Sequence, residues 1–336
     1  MSLFTRKERN QQLAKGKLVK YITYAIGEIL LIVVGVLLAV MINTKVADSK
    51  NRAAIKNIYL RLYEDLGEDI KKADQLLRYY ALKDSLIYEV MNDLVTEEDY
   101  LNVENYRLRS LVITYEVLEI QDQSFKSIMA LNNKVTLKQD SVFSKIKLLY
   151  FDKKSSVERN NAYITNMVIG NIDWIKFNTS WFSNFYFMDR PPTATEIEFY
   201  LKNDIYRNLV TEYSQTGPGN HVRSVLSYRK SAGQLYAELG NYLDIENTSI
   251  YDGAQYEQFI GRYSIEENSL EVVVKDAQLY LEQTGYSEQI IPLSSNCFTT
   301  SDGGFYYITQ NSSQQVTGLQ VRYGGSRYNL QKQMDQ

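Results

Sequence analysis

Ser227 and Lys230, in "SYRK", place an amine one helical turn from a hydroxyl. At that spacing a lysine can serve as general base for a serine nucleophile, which is the chemistry of acyl transfer. Cys297 and His221 are the one cysteine and the one histidine, so a thiolate–imidazole pair could be built only from them. Cys297 falls in a predicted strand of another domain, where a small buried apolar role suits it better. With one residue of each type, a transition-metal centre would need carboxylates for most of its ligands. Glu97–Glu98 and Glu266–Glu267 read as solvated faces or turns, and no glycine-rich phosphate loop occurs. These residues name no catalytic site, no cofactor and no metal. The expectation is a protein that is not an enzyme.

One carboxylate stands apart. Glu28 lies inside "YAIGEILLIVVGVLLAVMIN", residues 24–43, which is otherwise almost wholly apolar. Residues 21–42 give about 22 residues with a single charge, enough for one helix across a ~30 Å hydrocarbon layer. A cleavable signal peptide would have a shorter apolar core and a small-x-small cleavage site, and "LLAVMINTKVADS" offers none. The segment therefore reads as an uncleaved anchor spanning residues 21–43. The tail of residues 1–20 carries Arg6, Lys7, Arg9, Lys15, Lys17 and Lys20, but Lys45, Lys50, Arg52, Lys56 and Arg61 follow the helix. The charge bias is nearly balanced; a short basic tail still favours a cytoplasmic N-terminus and an exported remainder.

An ionised carboxylate costs at least ~2.5 kcal/mol at the bilayer centre, so Glu28 invites a functional reading. It shares a helix face with Gly35 and Ala39, and "GVLLA" is a small-xxx-small pattern that permits close helix contact. Glu28, Gly35 and Ala39 are thus candidates for contact with another membrane helix, a second copy included. The other reading needs no partner: Glu28 is near enough to the interface to reach lipid headgroups.

The chain has 336 residues, 44% hydrophobic and 23% charged, so most of it can bury a core. A net charge of −3 gives no reason to expect nucleic acid. One cysteine rules out an internal disulfide framework and leaves the redox compartment open. After the anchor, Ile55, Tyr59, Leu62, Leu66, Ile70, Ala73, Leu77 and Tyr80 step by three and four, lining one helix face. No proline occurs before Pro191, so the anchor can run on into a stalk. Further helices are predicted around 104–135, 138–150, 155–187, 194–214 and 220–243. Thr193 or Thr195 can cap the helix after "RPP", and "TGPGNHVRS" is expected to break the chain before the last helix. Residues 44–248 then form a helical stalk and bundle.

"DWIKFNTSWFSNFYFMDRPP" concentrates Trp174, Trp181, Phe182, Phe185, Tyr186, Phe187 and Met188. Aromatic residues at helical spacing usually form core; the functional reading makes Trp181, Phe185, Tyr186 and Phe187 a partner or ligand surface.

From about residue 249 to 332 the texture changes to short alternating runs separated by "EENS", "TSDGG", "NSSQQ" and "GGS". About eight strands at this spacing imply an antiparallel meander, curled or barrel-like, with residues 333–336 as a tail. A long open edge invites pairing, so the sheet should close or be covered. The fold class is α+β: a transmembrane helix, an elongated helical bundle and a C-terminal antiparallel β module.

Two resemblances follow. "GKLVKYITYAIGEILLIVVGVLLAVMIN" resembles the N-terminal signature, roughly "GKxxKYxxYAIGEIxLVxxGILIALxIN", of a family of uncharacterised single-pass membrane proteins from Bacteroidota. Here "INTKVADSK" replaces the usual "NNWNE" continuation. That resemblance implies an inner-membrane anchor with a periplasmic helical region and brings no activity with it. "FIGRY", "LYLEQTG…IIPLSSNCF" and "VTGLQVRYGG" are similar to a small β module found behind serine β-lactamase-like domains of exported bacterial proteins. There it is an accessory, which implies export. "SYRK" matches the Ser-x-x-Lys spacing of penicillin-recognising enzymes, but neither "SDN" nor "KTG" occurs.

The sequence thus leads to a non-enzymatic, membrane-anchored periplasmic protein acting through protein contacts, as subunit or scaffold of an envelope complex. Its expected partners are the lipid bilayer and other envelope or membrane proteins. The rival expectation is a membrane-anchored small-ligand sensor or binding protein, using the aromatic cluster or the mouth of the β module.

Overall fold

The computed structural model describes residues 6–102, 106–131, 141–187, 190–245, 253–275, 278–323 and 326–333. The chain divides into two compact units, residues 1–58 and 59–336. The first consists of the opening part of helix α1 (Arg6–Met91). From Ile26 to Ile42 its large apolar side chains are exposed: Ile29, Leu30, Leu31, Ile32, Val33 and Val34 are consecutive and all bare. Among the described residues this is the one helix long and apolar enough to cross a membrane.

In the second unit, Tyr59, Leu62, Leu66, Ile70, Ala73, Leu77 and Tyr80 are all fully buried, so the three-and-four stripe is the core face of α1. Around it lie α2 (Glu97–Leu101), α3 (Tyr106–Arg109), α4 (Gln123–Leu131), α5 (Ser141–Leu148), α6 (Lys154–Asn178), α7 (Phe182–Tyr186), α8 (Ala194–Lys202), α9 (Asp204–Ser214) and α10 (Val222–Tyr242).

Three departures from the sequence reading have physical causes. The helix expected over 104–135 is interrupted: residues 114–122 belong to no helix or strand. Their backbone is served by side chains instead. Asn161 accepts from Leu118 N at 3.3 Å and donates to Leu118 O at 2.9 Å, while Gln121 N donates to Asp69. Tyr79 and Tyr213 both donate to Thr114 O. Second, the 194–214 helix is two, because Asn203 caps α9 by accepting from Ile205 N at 2.8 Å. Thr193, rather than Thr195, caps α8 by accepting from Glu196 N.

The third departure concerns "TGPGNH", which does not break the chain. Residues Gln215–His221 form a π-turn that carries α9 directly into α10, with Pro218 inside it. A widened turn accommodates a residue that cannot donate a hydrogen bond. Gly217 is required there: a Cβ would stand 2.7 Å from Tyr80 Cε1. The turn delivers His221 to the fully buried interior. Asn161 already donates its amide to Leu118 O, so its Oδ1 must accept from His221 Nε2, 2.8 Å away. Nε2 therefore carries the proton, and Nδ1 accepts from Tyr80 Oη at 2.7 Å.

The β module is one nine-stranded antiparallel sheet: β1 (Gly261–Ile265), β2 (Asn268–Lys275), β3 (Gln278–Gln283), β4 (Tyr286–Gln289), β5 (Ile291–Ser294), β6 (Cys297–Thr299), β7 (Phe305–Gln310), β8 (Val316–Tyr323) and β9 (Ser326–Lys332). Its order is β4-β3-β2-β1-β9-β8-β7-β6-β5. The sheet has nine strands where about eight were expected, because "SEQIIPLS" carries two, β4 and β5, joined by Ile290 alone. They are the opposite edges of the sheet, so it must curl until those edges meet. Ile290 N donates to Leu279 O at the join. The barrel-like form follows from that one-residue link. Phe259, Tyr263, Val272, Phe298 and Leu319 fill the interior with no exposure, and Phe298 stacks on Tyr306 at 4.8 Å.

Two buried ion pairs lock the helices. Arg109 Nε donates to Glu196 at 2.9 Å and Arg229 Nε to Asp74 at 2.8 Å, all four side chains being at most 6% exposed. Removing one partner strands the other charge, so Arg109→Met is expected to cost about 3–5 kcal/mol, read by chemical denaturation. Restoration by Glu196→Leu in the same chain checks that the stranded charge is the cause.

Burial pushes the His221 imidazole down to about 4, below the ordinary 6.5. The unfolded chain takes up that proton as pH falls from 6.5 towards 4 and the folded chain does not. The histidine's stabilisation is therefore whole above about pH 6.5 and lost as pH falls through 4. Asp69 and Asp84, pushed up to about 6 mainly by burial, act oppositely, losing stabilisation as pH rises through 6. A His221→Asn variant isolates the histidine: the difference in Tm from wild type should shrink between pH 7 and pH 4. A constant difference would contradict the neutral, buried imidazole.

Candidate functional site

The residues singled out from the sequence do not converge. Ser227 and Lys230 share a helix, but Lys230 Nζ donates to Glu288 at 3.0 Å and to Ser301. The amine is thus engaged with the β module. His221 is held by Tyr80 and Asn161, and burial pushes the Cys297 thiol up to about 12. Neither has the protonation state of a thiolate–imidazolium pair. No group of three or more histidine, cysteine or acidic side chains with metal-binding geometry occurs among the described residues.

Trp181 and Phe185 lie in the core, packed with Phe199, Tyr200 and Tyr206. Tyr186 and Phe187 are at the surface, at 72% and 49% exposure. Met188 lies outside the described residues. An edge of Trp181 also lines an open trough of about 430 Å³ with Trp174 and Glu198. Glu28, Gly35 and Ala39 are exposed on α1, and a Cβ on Gly35 would meet nothing within 4 Å.

A buried lysine occupies a second cleft, of about 380 Å³, lined by Tyr79, Tyr106 and Glu116 among others. Burial, with Arg107 nearby, pushes the Lys83 amine down to about 7. Its Nζ donates to Ser110 O, Leu111 O and Thr114 Oγ1 at 3.2, 2.9 and 2.8 Å. Three oxygens take all three ammonium protons, which makes Lys83 the cap of the turn after α3.

A polar concavity lies where α1 and the π-turn face β7, β8 and β9. The two layers are joined there by Tyr307 Oη, which donates to Ala81 O at 2.8 Å. Two adjoining clefts open beside that contact, of about 60 and 350 Å³, and Asp84, Ser214, Gln215 and Arg322 line both. Arg322 and Arg327 are directly opposed across β8 and β9. Each guanidinium lies over an aromatic ring, Arg322 Cζ 4.1 Å from the Tyr307 ring centre and Arg327 Cζ 3.8 Å from that of Tyr88. Arg322 Nε donates to Gln320 at 2.9 Å. Three buried atoms here have no hydrogen-bond partner: Asp84 Oδ2, Arg322 Nη1 and Arg327 Nε. Burial raises the Asp84 carboxyl to about 6, with the two arginines pulling the other way. Like charges directly opposed across a sheet are unfavourable, and one carboxylate offsets only one of them.

Sequence reasoning missed this site. The available signal was the pair of arginines in "VRYGGSR", which the pairing of β8 with β9 sets opposite each other. Asp84 carried no signal, because its neighbours on the helix are ordinary. No family model, curated protein or solved structure matches the chain.

The thiol assignment is simple to check. Cys297 should resist maleimide at pH 7.5 in the folded protein and react at the rate of a free thiol once denatured. Rapid native labelling would place Cys297 at the surface.

Proposed function

We propose that the chain is a single-pass protein of the bacterial inner membrane, belonging to the Bacteroidota family whose N-terminal signature it resembles. Its N-terminus is cytoplasmic, residues 44–336 are periplasmic, and it works by binding other envelope proteins rather than by catalysis. The observation that carries this reading is the bare apolar helix from Ile26 to Ile42. Fully burying a Leu, Ile or Val side chain gains about 1.5–3 kcal/mol. Over that many side chains the gain outweighs several-fold the ~2.5 kcal/mol minimum for one intramembrane carboxylate. Lipid is the medium that supplies such burial, with Glu28, Gly35 and Ala39 free on the helix for contact with another membrane helix.

A second reading, a membrane-anchored small-ligand binding protein, draws on the seam between helices and barrel. Buried side chains such as Phe259, Tyr263 and Phe298 occupy the barrel interior, so the ligand would sit at the polar clefts beside Asp84 and Arg322.

Purification of the tagged full chain from native membranes in mild detergent tests the first reading. It should remain with the membrane after alkaline extraction and retain a stoichiometric protein partner, which Glu28→Leu weakens. A chain that washes off the membrane, or that comes through alone, would overturn it.

A further inference from the structure

We propose that the seam beside Asp84 binds a small organic carboxylate with an adjacent hydrogen-bond donor, a hydroxyl or an ammonium. The inference rests on the ligand-binding reading and names its chemistry.

The charge pattern comes first. Arg322 and Arg327 stand directly opposite each other on β8 and β9, an arrangement a sheet avoids unless something negative lies between or beside them. Asp84 is the one carboxylate lining these clefts, beside Arg322 and, in the smaller cleft, Arg223. Among the described residues neither Arg322 nor Arg327 forms an ion pair, and one nitrogen of each is buried without an acceptor. Buried polar atoms are nearly always satisfied, and three orphans in one cluster mark a place completed from outside.

The donor and acceptor inventory then sets the ligand. Arg322, which lines both clefts, offers only donors, so the ligand must present an acceptor to it; a carboxylate matches the fork of a guanidinium. Asp84 Oδ2 offers an acceptor, so the same ligand must present a donor beside its carboxylate. A simple carboxylate would leave Asp84 unsatisfied and repelled, and a simple amine would leave Arg322 so. A cleft of about 350 Å³ admits a molecule of a few heavy atoms up to a small sugar acid. Contact with the Tyr307 and Tyr88 rings keeps both guanidiniums in place before the ligand arrives, which lowers the ordering cost of binding.

The test uses the full chain in detergent, with calorimetry and thermal shift. One arm offers hydroxy acids (lactate, glycerate, gluconate); the other offers amino acids (alanine, glutamate). Acetate and ethanolamine serve as half-molecule controls. At least one member of an arm should bind ten-fold or more tighter than acetate, and which arm does so identifies the donor. Arg322→Gln should weaken that binding at least ten-fold, and Asp84→Asn should abolish the preference over acetate. If acetate binds as tightly as every hydroxy and amino acid, the donor requirement is wrong, although a ligand site remains. If no probe binds and Arg322→Gln raises Tm, the orphans are strain between like charges, and the ligand-binding reading falls as well. Binding to the wild type is read independently of the variants, so a variant that misfolds does not remove the test.

Discussion

The second unit is organised around a chain of four hydrogen-bonded groups: Tyr80, His221, Asn161 and the backbone of Leu118. It joins α1, the π-turn, α6 and the irregular segment 114–122, which are far apart in sequence. Each member has one arrangement open to it. The amide is oriented by Leu118, the amide fixes the imidazole tautomer, and the tautomer leaves Nδ1 for the tyrosine. Such a network is stable only when complete, because the same burial that strengthens its bonds penalises any missing one. Gly217 belongs to the same constraint, since only a glycine lets the turn pass Tyr80.

That hub explains why the π-turn exists. A regular α-helix through Gln215–His221 would place the histidine differently and give Pro218 a steric clash with the preceding turn. The widened turn solves both problems and also borders the polar clefts with Ser214 and Gln215. The architecture of the interior and the shape of the candidate site are therefore one feature seen from two sides.

The barrel contributes its rigidity. Its edges are joined through Ile290 and its centre is filled with stacked rings, so β8 and β9 have little freedom to separate Arg322 from Arg327. Gly318 tightens this further: a Cβ there would lie 2.3 Å from Leu330 O on the neighbouring strand. A flexible hairpin would relieve the like-charge pair by moving. This one holds it.

Much of the architecture was legible in the sequence because it rests on local pattern. The apolar run needs only its own composition to mark a candidate membrane span, and the stripe from Tyr59 to Tyr80 needs only its period to mark a core face. The alternation and turn residues after residue 249 likewise announce an antiparallel β module. Other features were hidden because their causes are not local. Residues 114–122 have helical periodicity, yet asparagine, tyrosine and aspartate side chains from distant elements take over their backbone hydrogen bonds. "TGPGNH" carries every local sign of a break, yet the demand of Tyr80 and Asn161 for His221 keeps it helical. The split of "SEQIIPLS" becomes visible only when the sheet closes on itself. The cluster of Asp84, Arg322 and Arg327 belongs to this second class. Its members come from a helix and two strands, and only the packing of one layer on the other brings an uncompensated charge and three unpartnered polar atoms to one place.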